Sequence, residues 1–372
     1  MSPVPKIFLK HLNKLEPNAQ LTFSPPRLKS SSGNAYYAKI GTASEHAQYV
    51  AEAESLKALD IAAPGLVPTV LASGSFTQSD EESEPGTGRP YFLSEYKDLR
   101  SLSPASAAIL GRRLADEVHS FKGTRGFGFH VPTYCGPTRM ENGWHSSWDR
   151  CYDALIAGLL SHLTSSRYST LRAKGEQVRK RHVFSTANPK MIAYNASVFF
   201  RVIPALLDPD ELVIQPVIIH GDLWVRVVEA AHQSKPTHMY VRAVTWVKTT
   251  TVNRSSTTHH PCSPTTSSSK LTPVTSPNYP TSFSFQSLAI GRMFGGIPSS
   301  FYTEYHKHLP KSAPEEEYDL RSDLYILFHY LNHTVIFGVG PYFPDRVTDC
   351  QQKALTGKLC QRRRAEDGQA AS

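Results

Sequence analysis

"VIIHGDLWVRVVEAAHQ", Val217 to Gln233, decides how this chain reads. Its first half is an apolar run that closes on His-Gly-Asp. An Asp on a tight turn at the end of such a run can accept a hydrogen bond from a hydroxyl and aim it at phosphorus, as in phosphotransferase loops. The second half departs from that pattern, because Val227 stands where such loops carry a metal-binding Asn. An isolated His-Gly-Asp can equally be an Asx-turn that closes a loop, so the residues around it must decide.

Upstream, "SSSGNAYYAKIG" (30–41) reads as a Ser/Gly turn feeding a hairpin strand that ends at Lys39. "SEHAQYVAEAESLKALD" (44–60) then predicts a helix, with Ser44 as N-cap and Val50, Ala53, Leu56 and Leu59 at helical spacing. Strands follow in "GLVPTVLASG" (65–74) and "PYFLSEYKDL" (90–99), separated by the acidic loop "SDEESEPGTG". The order strand-Lys, helix-Glu, hinge, turn-Asp is that of a two-lobed phosphotransferase. In it Lys39 holds the α- and β-phosphates and Glu52 fixes its ammonium. Glu54 is the alternative partner, although it faces another side of the helix. Taken alone, Lys39 is a solvated strand residue, and an exposed ion pair there would contribute only ~0 to 1 kcal/mol.

From Ser103 the pattern becomes helical. Ser103 and Pro104 form a cap and first turn for a helix with Ile109, Leu110, Leu114 and Val118 on one side. Further helices are expected in 143–163, 196–208, 288–309 and 319–338, and a strand in "ELVIQPVIIHGDLW" (211–224). The 372 residues, 40% of them hydrophobic, suffice for two lobes. The fold class is therefore α+β: a small β-rich N-terminal lobe and hinge over 1–97, then a larger, mainly helical lobe over 98–372.

The net charge of +8 and a pI near 9.1 raise the question of a nucleic-acid or membrane surface. Five of those eight charges lie in Val225 to Gln286, which has six basic residues and one acid, Glu229. That stretch holds twelve Thr and keeps neither a period of 2 nor one of 3.6, so it is expected to be mostly loop. It lacks the regularly interleaved aromatics of a nucleic-acid surface. A basic tail, Arg362 to Arg364, reads as a solvated terminus. The five cysteines form no CxxC pair or metal spacing, which predicts reduced thiols and a cytosolic location. No apolar run approaches the ~18 to 20 residues of a membrane span.

At this point the sequence resembles the fructosamine-3-kinase and ketosamine-3-kinase family (protein-ribulosamine 3-kinases), within the aminoglycoside and choline kinase-like fold. The stretches that carry the resemblance are "YYAKIG", "EAESLKAL", "LGRRLADEVHSF", "GFGFHVPTYCG", "NGWHSSWDRCY", "VIPALL", "PVIIHGDLW", "IGRMFGGIPSSFYTEYHKHLP" and "RSDLYILFHYLNHTVIFG". The resemblance implies ATP- and Mg²⁺-dependent phosphorylation of the sugar O3' in ketoamine adducts of lysine, so that the adduct is shed. Glycated proteins or ketoamine-lysine molecules are the implied partners, and a monomer is expected. By position, Asp222 would orient that hydroxyl, Lys39 would anchor phosphate and Glu52 would be its partner. Glu95, Tyr96 and Lys97 would supply the adenine-side hinge through backbone groups. Asn142, Trp144, Trp148 and Trp224 fall on the sugar side. From the residues alone, Trp144 and Trp148 are equally two aromatics on a buried helix face. His329 and His333, at i and i+4 spacing, read as structural.

Two departures from the family stand out. The family continues "HGDLW" with Ser-Gly-Asn and later an Asp-Pro, whereas this chain has Val225, Arg226 and Val227, and no Asp between Asp222 and Asp319. Mg²⁺ needs oxygen ligands, and Val227 offers none. A glycine-rich phosphate loop is also missing before Lys39, so a Ser-rich hairpin is its candidate substitute. Codon degeneracy allows a splice-donor-like start at "WVR" and an intron-like end at "SPNYPTSFSFQ". The expectation is that 225–286 translates retained intron or out-of-frame exon and that the true frame resumes at Ser287.

Overall fold

The computed structural model describes residues 3–77, 87–98, 101–179, 202–207, 214–221, 223, 227–229, 239–241 and 285–338. Helix α1, Lys6–Leu15, opens the chain and turns Ile7, Phe8 and Leu12 inward. Strands β1 (Leu21–Ser24), β2 (Arg27–Ser30) and β3 (Ala35–Ile40) follow. Helix α2 (His46–Ala62) then leads to β4 (Val70–Ser75) and β5 (Pro90–Glu95). All pairings are antiparallel, in the order β1-β2-β3-β5-β4.

Strand alternation sends β3 side chains to two different cores. Tyr36 and Ala38 join Phe8, Leu12, Tyr91 and Leu93 beneath α1. Tyr37 and Lys39 face the other way, where Tyr37 meets Phe92 edge to face with ring centroids 6.4 Å apart. On that side α2 packs through Ala53, Leu56 and Leu59 and merges with the core of the second lobe. Fully burying Phe8 and Leu12 contributes roughly 1.5 to 3 kcal/mol each, which is why a ten-residue helix missing from the sequence reading stays docked.

The second lobe begins with α3, Pro104–Arg113, whose N-cap Ser103 accepts the Ser106 N–H at 3.1 Å. A π-type turn, Leu114–Val118, ends with the His119 N–H on the Leu114 carbonyl. Strands β6 (Thr133–Cys135) and β7 (Thr138–Met140) make a small hairpin. Helices α4 (Trp148–His162), α5 (Ser169–Arg179) and α6 (Val202–Leu207) follow. Strands β8 (Val227–Glu229) and β9 (Met239–Val241) pair with each other. The chain then forms α7 (Phe285–Phe294), α8 (Ser299–His308) and α9 (Tyr318–Phe337). Helix α9 is the central post, burying Leu324, Tyr325, Leu327, Phe328 and Leu331. Helices α3 and α8 lie so close that a Cβ on Gly111 would stand 2.4 Å from the Phe301 carbonyl oxygen.

Three expectations change. The α2 entrance is set by Thr42, whose N–H is taken by the Glu45 carboxylate at 2.7 Å, so Ser44 is not the cap. Ile109 is 39% exposed, and the buried face of α3 is built instead from Ser106, Ala107, Leu110 and Gly111. In the predicted strand over 211–224, Val217 makes an isolated bridge to Lys122 and the described residues form no strand. The low-complexity stretch contains the β8–β9 pair, and its other residues up to 284 lie outside the described ones. Among the described residues no helix is long and apolar enough to cross a membrane.

Candidate active site

Lys39 stands near the end of β3, opposite Phe92 of β5, and its ammonium reaches Glu52 of α2 at 2.5 Å. The Tyr49 ring lies beneath that ammonium at 4.4 Å and the Phe92 ring at 5.4 Å. A cation over aromatic faces keeps a fixed direction without losing its charge. Gly41 makes room for this, since a Cβ there would stand 2.8 Å from the Tyr49 ring. Burial, with Glu45 and Glu52 adding to it, pushes the Tyr49 hydroxyl up to about 12, so the ring stays neutral. Of the two glutamates open to Lys39, Glu54 is engaged elsewhere: Lys57 holds it at 2.8 Å and His130 of the second lobe at 2.9 Å.

The turn alongside Lys39 is not the Ser-rich one. The β1–β2 turn, Ser24-Pro25-Pro26-Arg27, lies next to it, with the Ala38 N–H on the Pro26 carbonyl at 2.8 Å. In the two-lobed kinase architecture a loop in this place covers the phosphates with backbone N–H groups, and two prolines supply none. The Ser-rich turn lies at the opposite end of β3, where Tyr96 N–H meets the Ala35 carbonyl at 3.0 Å. There Ser30, Ser32, Asn34 and Tyr36 all hydrogen-bond to Glu16. Those bonds, Ser30 and Tyr36 foremost, hold the Glu16 carboxyl down at about 2. The serines anchor α1 to the sheet and are committed to that task.

In the hinge, the Glu95 N–H bonds the Thr69 carbonyl at 3.1 Å and the Tyr96 N–H bonds Ala35, so adenine cannot take these two donors. The Glu95 side chain accepts from Thr69 N–H and from Lys97, each at 3.0 Å. Burial pushes its carboxyl up, but those two donors outweigh it and hold it below the ordinary value. Tyr96 carries the Arg27 guanidinium on its ring at 4.4 Å. A cavity of about 590 Å³ lies here, between Glu16, Asn34, Tyr36, Tyr96 and Lys97. It lies at the hinge end of the sheet, where β3 begins at Ala35, and Lys39 is not among its lining residues.

Beneath the sheet two glycine-containing segments pair as a ribbon. Phe127 N–H meets the His145 carbonyl at 2.9 Å and His145 N–H returns to Phe127 at 2.8 Å. The close approach needs Gly128, where a Cβ would stand 2.6 Å from the Gly143 carbonyl oxygen. Of the three residues in this segment expected on the sugar side, Trp144 is 38% exposed. Trp148 is 1% exposed, donates to the Tyr325 hydroxyl at 2.9 Å and packs against Phe127. It shapes the site from beneath and does not line it. Asn142 points inward, donating to Thr133 Oγ1 at 2.7 Å and to the Val131 carbonyl at 3.2 Å.

The His-Gly-Asp turn emerges from the core: Val217, Ile218, Ile219 and His220 are buried, and Gly221 takes φ 75°. Its His220 N–H is received by Ser287 Oγ at 2.8 Å. Asp222 and Trp224 lie outside the described residues. His333 is sandwiched by Phe294 at 5.1 Å and Phe337 at 5.4 Å. Among the described residues no three His, Cys, Asp or Glu side chains gather as a metal site. Tyr49, His119, Ser287 and the Pro25-Pro26 turn were missed in the sequence reading. His119 was hidden because regular helical spacing takes it off the face of Leu110, Leu114 and Val118, and the π-type turn Leu114–Val118 brings it inward.

Comparison with known proteins now adds to this geometry. The family model described as fructosamine kinase matches residues 25–249 and 284–352. The match runs through Val225–Val227, and the internal stretch outside it is 250–283, narrower than 225–286. The chain is 26% identical over 257 residues to the protein-ribulosamine 3-kinase, chloroplastic, of Arabidopsis thaliana, covering 68% of this chain and 59% of that protein. With the Mus musculus ketosamine-3-kinase it shares 28% over 279 residues, covering 69% and 70%. The chain thus spans less than two thirds of the plant relative's length. A solved structure from Thermobifida fusca, provisionally named a fructosamine-3-kinase, matches over 91% of this chain and 93% of its own, at TM-score 0.56 and 18% identity. A second, from Haemophilus somnus and named in the same provisional way, matches over 93% and 96% at TM-score 0.56 and 16% identity. These two likenesses give the fold: the two-lobed kinase-like arrangement of an antiparallel sheet above a helical lobe.

Proposed function

We propose, from the premise that the chain belongs to the fructosamine kinase family, that it transfers the γ-phosphoryl group of ATP to the 3'-hydroxyl of ketosamine adducts, ribulosamine or fructosamine, on protein lysines. The observation that carries this reading is the Lys39–Glu52 pair at 2.5 Å, on the strand and helix that precede the hinge in a kinase-like lobe. Relatives named protein-ribulosamine 3-kinase and ketosamine-3-kinase support the substrate class.

In this mechanism Lys39 holds the α- and β-phosphates, and Glu52 with the Tyr49 and Phe92 faces keeps its ammonium aimed. Hinge residues 95–97 bound the adenine side. The ribbon of 126–130 and 142–145 forms the sugar side, with Trp144 offering an aromatic face. Asp222 receives the proton of the attacking hydroxyl as the new P–O bond forms and the bond from the γ-phosphorus to the departing ADP oxygen breaks. In such chemistry a divalent cation neutralises charge on the phosphates. The residues after the turn do not fit one: Val225 and Val227 carry hydrocarbon and Arg226 a cation. Phosphorylation at O3' would destabilise the adduct and free the lysine, a repair role for which a cytosolic location is expected.

A second reading is favoured by two specific observations, Val227 in the metal position and the N–H-free Pro25-Pro26 turn beside Lys39. On that reading the chain is a kinase-shaped protein that binds ketosamines without phosphorylating them. Incubation with ATP and a ribulosamine-lysine substrate separates the two, since the first requires turnover and the second requires binding alone.

A further inference from the structure

Directly beneath the His-Gly-Asp turn lies a buried polar chain that joins four separate elements. Ser287, at the start of α7, is fully buried, and its Oγ receives the His220 N–H at 2.8 Å. The same oxygen lies 3.1 Å from Nε2 of His119, and His119 Nδ1 lies 2.8 Å from the Tyr305 hydroxyl of α8. His119 is also fully buried. It is delivered by the π-type turn Leu114–Val118, where the backbone bond runs from His119 N–H to the carbonyl five residues back. Such turns interrupt a helix to re-aim one side chain. Here the Ser120 hydroxyl also bonds the Ala115 carbonyl at 2.6 Å, which stabilises the wider turn.

A neutral imidazole donates at one ring nitrogen and accepts at the other, so His119 joins Ser287 to Tyr305 by one bond of each kind. Burial, together with the neighbouring His220, pushes His119 down to about 3, which keeps the ring neutral. Removing the middle oxygen would leave the buried His220 N–H and a buried imidazole nitrogen without their partner, a costly condition for a turn to tolerate.

We propose that Ser287, held in orientation by His119 and Tyr305, is a positioning residue that clamps the His220 amide and so fixes the direction of the turn whose next residue but one is Asp222. The clamp has a consequence for the chain as a whole. Residues 220 and 287 are tied at one point of the core, so the stretch between them leaves and re-enters at the same place. Loop length adds to the closure cost only logarithmically, which accounts for a stretch outside the family match sitting here without breaking the core. This proposal rests on the kinase reading for its effect on catalysis, but the clamp itself is independent of it.

Amide exchange on the full chain, read on the peptide that covers 217–223, tests the clamp in Ser287→Ala, Ser287→Thr and the near-isosteric Ser287→Cys. In Ser287→Ala and Ser287→Cys exchange at His220 should rise about tenfold or more, with peptides from α4 and α9 unchanged. Ser287→Thr, which keeps the hydroxyl, should restore slow exchange. Unchanged exchange at His220 in Ser287→Cys, or a rise spread evenly over α4 and α9, overturns the clamp. Turnover of ribulosamine-lysine gives the second readout: kcat should fall about 100-fold with KM for ATP unchanged, and Thr should restore it. A wild-type chain without turnover counts against the kinase reading, and the exchange result still decides the clamp.

Discussion

Lys39 Nζ and Glu52 Oε2 stand 2.5 Å apart, with the ammonium lying over the rings of Tyr49 and Phe92. The pair joins β3 to α2, while the next glutamate on the helix, Glu54, reaches His130 in the second lobe. One helix therefore holds the Lys39 ammonium and touches the segment of the second lobe that runs through Phe127 and His130. Glu52→Gln should reduce kcat/KM for ATP by about 100-fold, the cost of a misplaced catalytic group. Thermal stability should change little, because both side chains are partly exposed and such pairs contribute only ~0 to 1 kcal/mol. Steady-state kinetics with a melting curve checks both halves, and a large stability loss with unchanged kinetics would contradict this assignment.

The Pro25-Pro26 turn makes a prediction of the opposite sign. Replacing both by Gly adds two backbone N–H groups beside Lys39, where a kinase-like lobe holds phosphate. A hydrogen bond to a charged group is worth ~1.5 to 3 kcal/mol, so ATP should bind about tenfold more tightly or better. Calorimetric titration with ATP reads this directly. Unchanged or weaker binding in the folded double variant would place the phosphates elsewhere.

Gly128→Ala tests the sugar-side ribbon. The new Cβ would meet the Gly143 carbonyl at 2.6 Å, and a backbone oxygen cannot yield without parting the two segments. Overpacking of this kind costs ~1 to 3 kcal/mol. KM for the ketosamine should rise about tenfold while KM for ATP stays the same. Equal changes in both would argue for general loosening.

Much of this arrangement was legible in the sequence because the determinants were local. Lys39, Glu52 and the Ser103-Pro104 cap announced themselves through strand alternation, helical spacing and a capping pair, and each lies in the element expected. What stayed hidden depended on contacts between distant segments. Trp148 reads like a ligand-facing aromatic until Tyr325, far along the chain, takes its N–H. The Ser-rich turn reads like a phosphate loop until Glu16 occupies it from α1. Ile109 has the spacing of a core residue, yet the buried face of α3 is chosen by the close crossing at Gly111 and leaves Ile109 outward.

Acid sensitivity follows from His119. Folding pushes its pKa down to about 3 through burial and His220, whereas the unfolded chain protonates near the ordinary ~6.5. The unfolded state therefore binds the extra proton below about 6.5. This contribution to stability is complete above about 6.5 and is lost progressively as pH falls towards about 3. Urea unfolding at about pH 7, 5 and 4 should show that loss, and His119→Gln should flatten it by up to about one proton. Identical slopes in the two proteins would contradict the buried neutral histidine.

The most direct test of the account is phosphate transfer itself. The purified chain is incubated with ATP, magnesium and ribulosamine-lysine, and the products are followed by phosphorus NMR and mass spectrometry. The account predicts a ketosamine phosphorylated at O3', free lysine appearing after it, and loss of both in Lys39→Met and Asp222→Asn. Ketosamine binding to the wild-type chain with no consumption of ATP would contradict it and leave the kinase-shaped binding protein in its place.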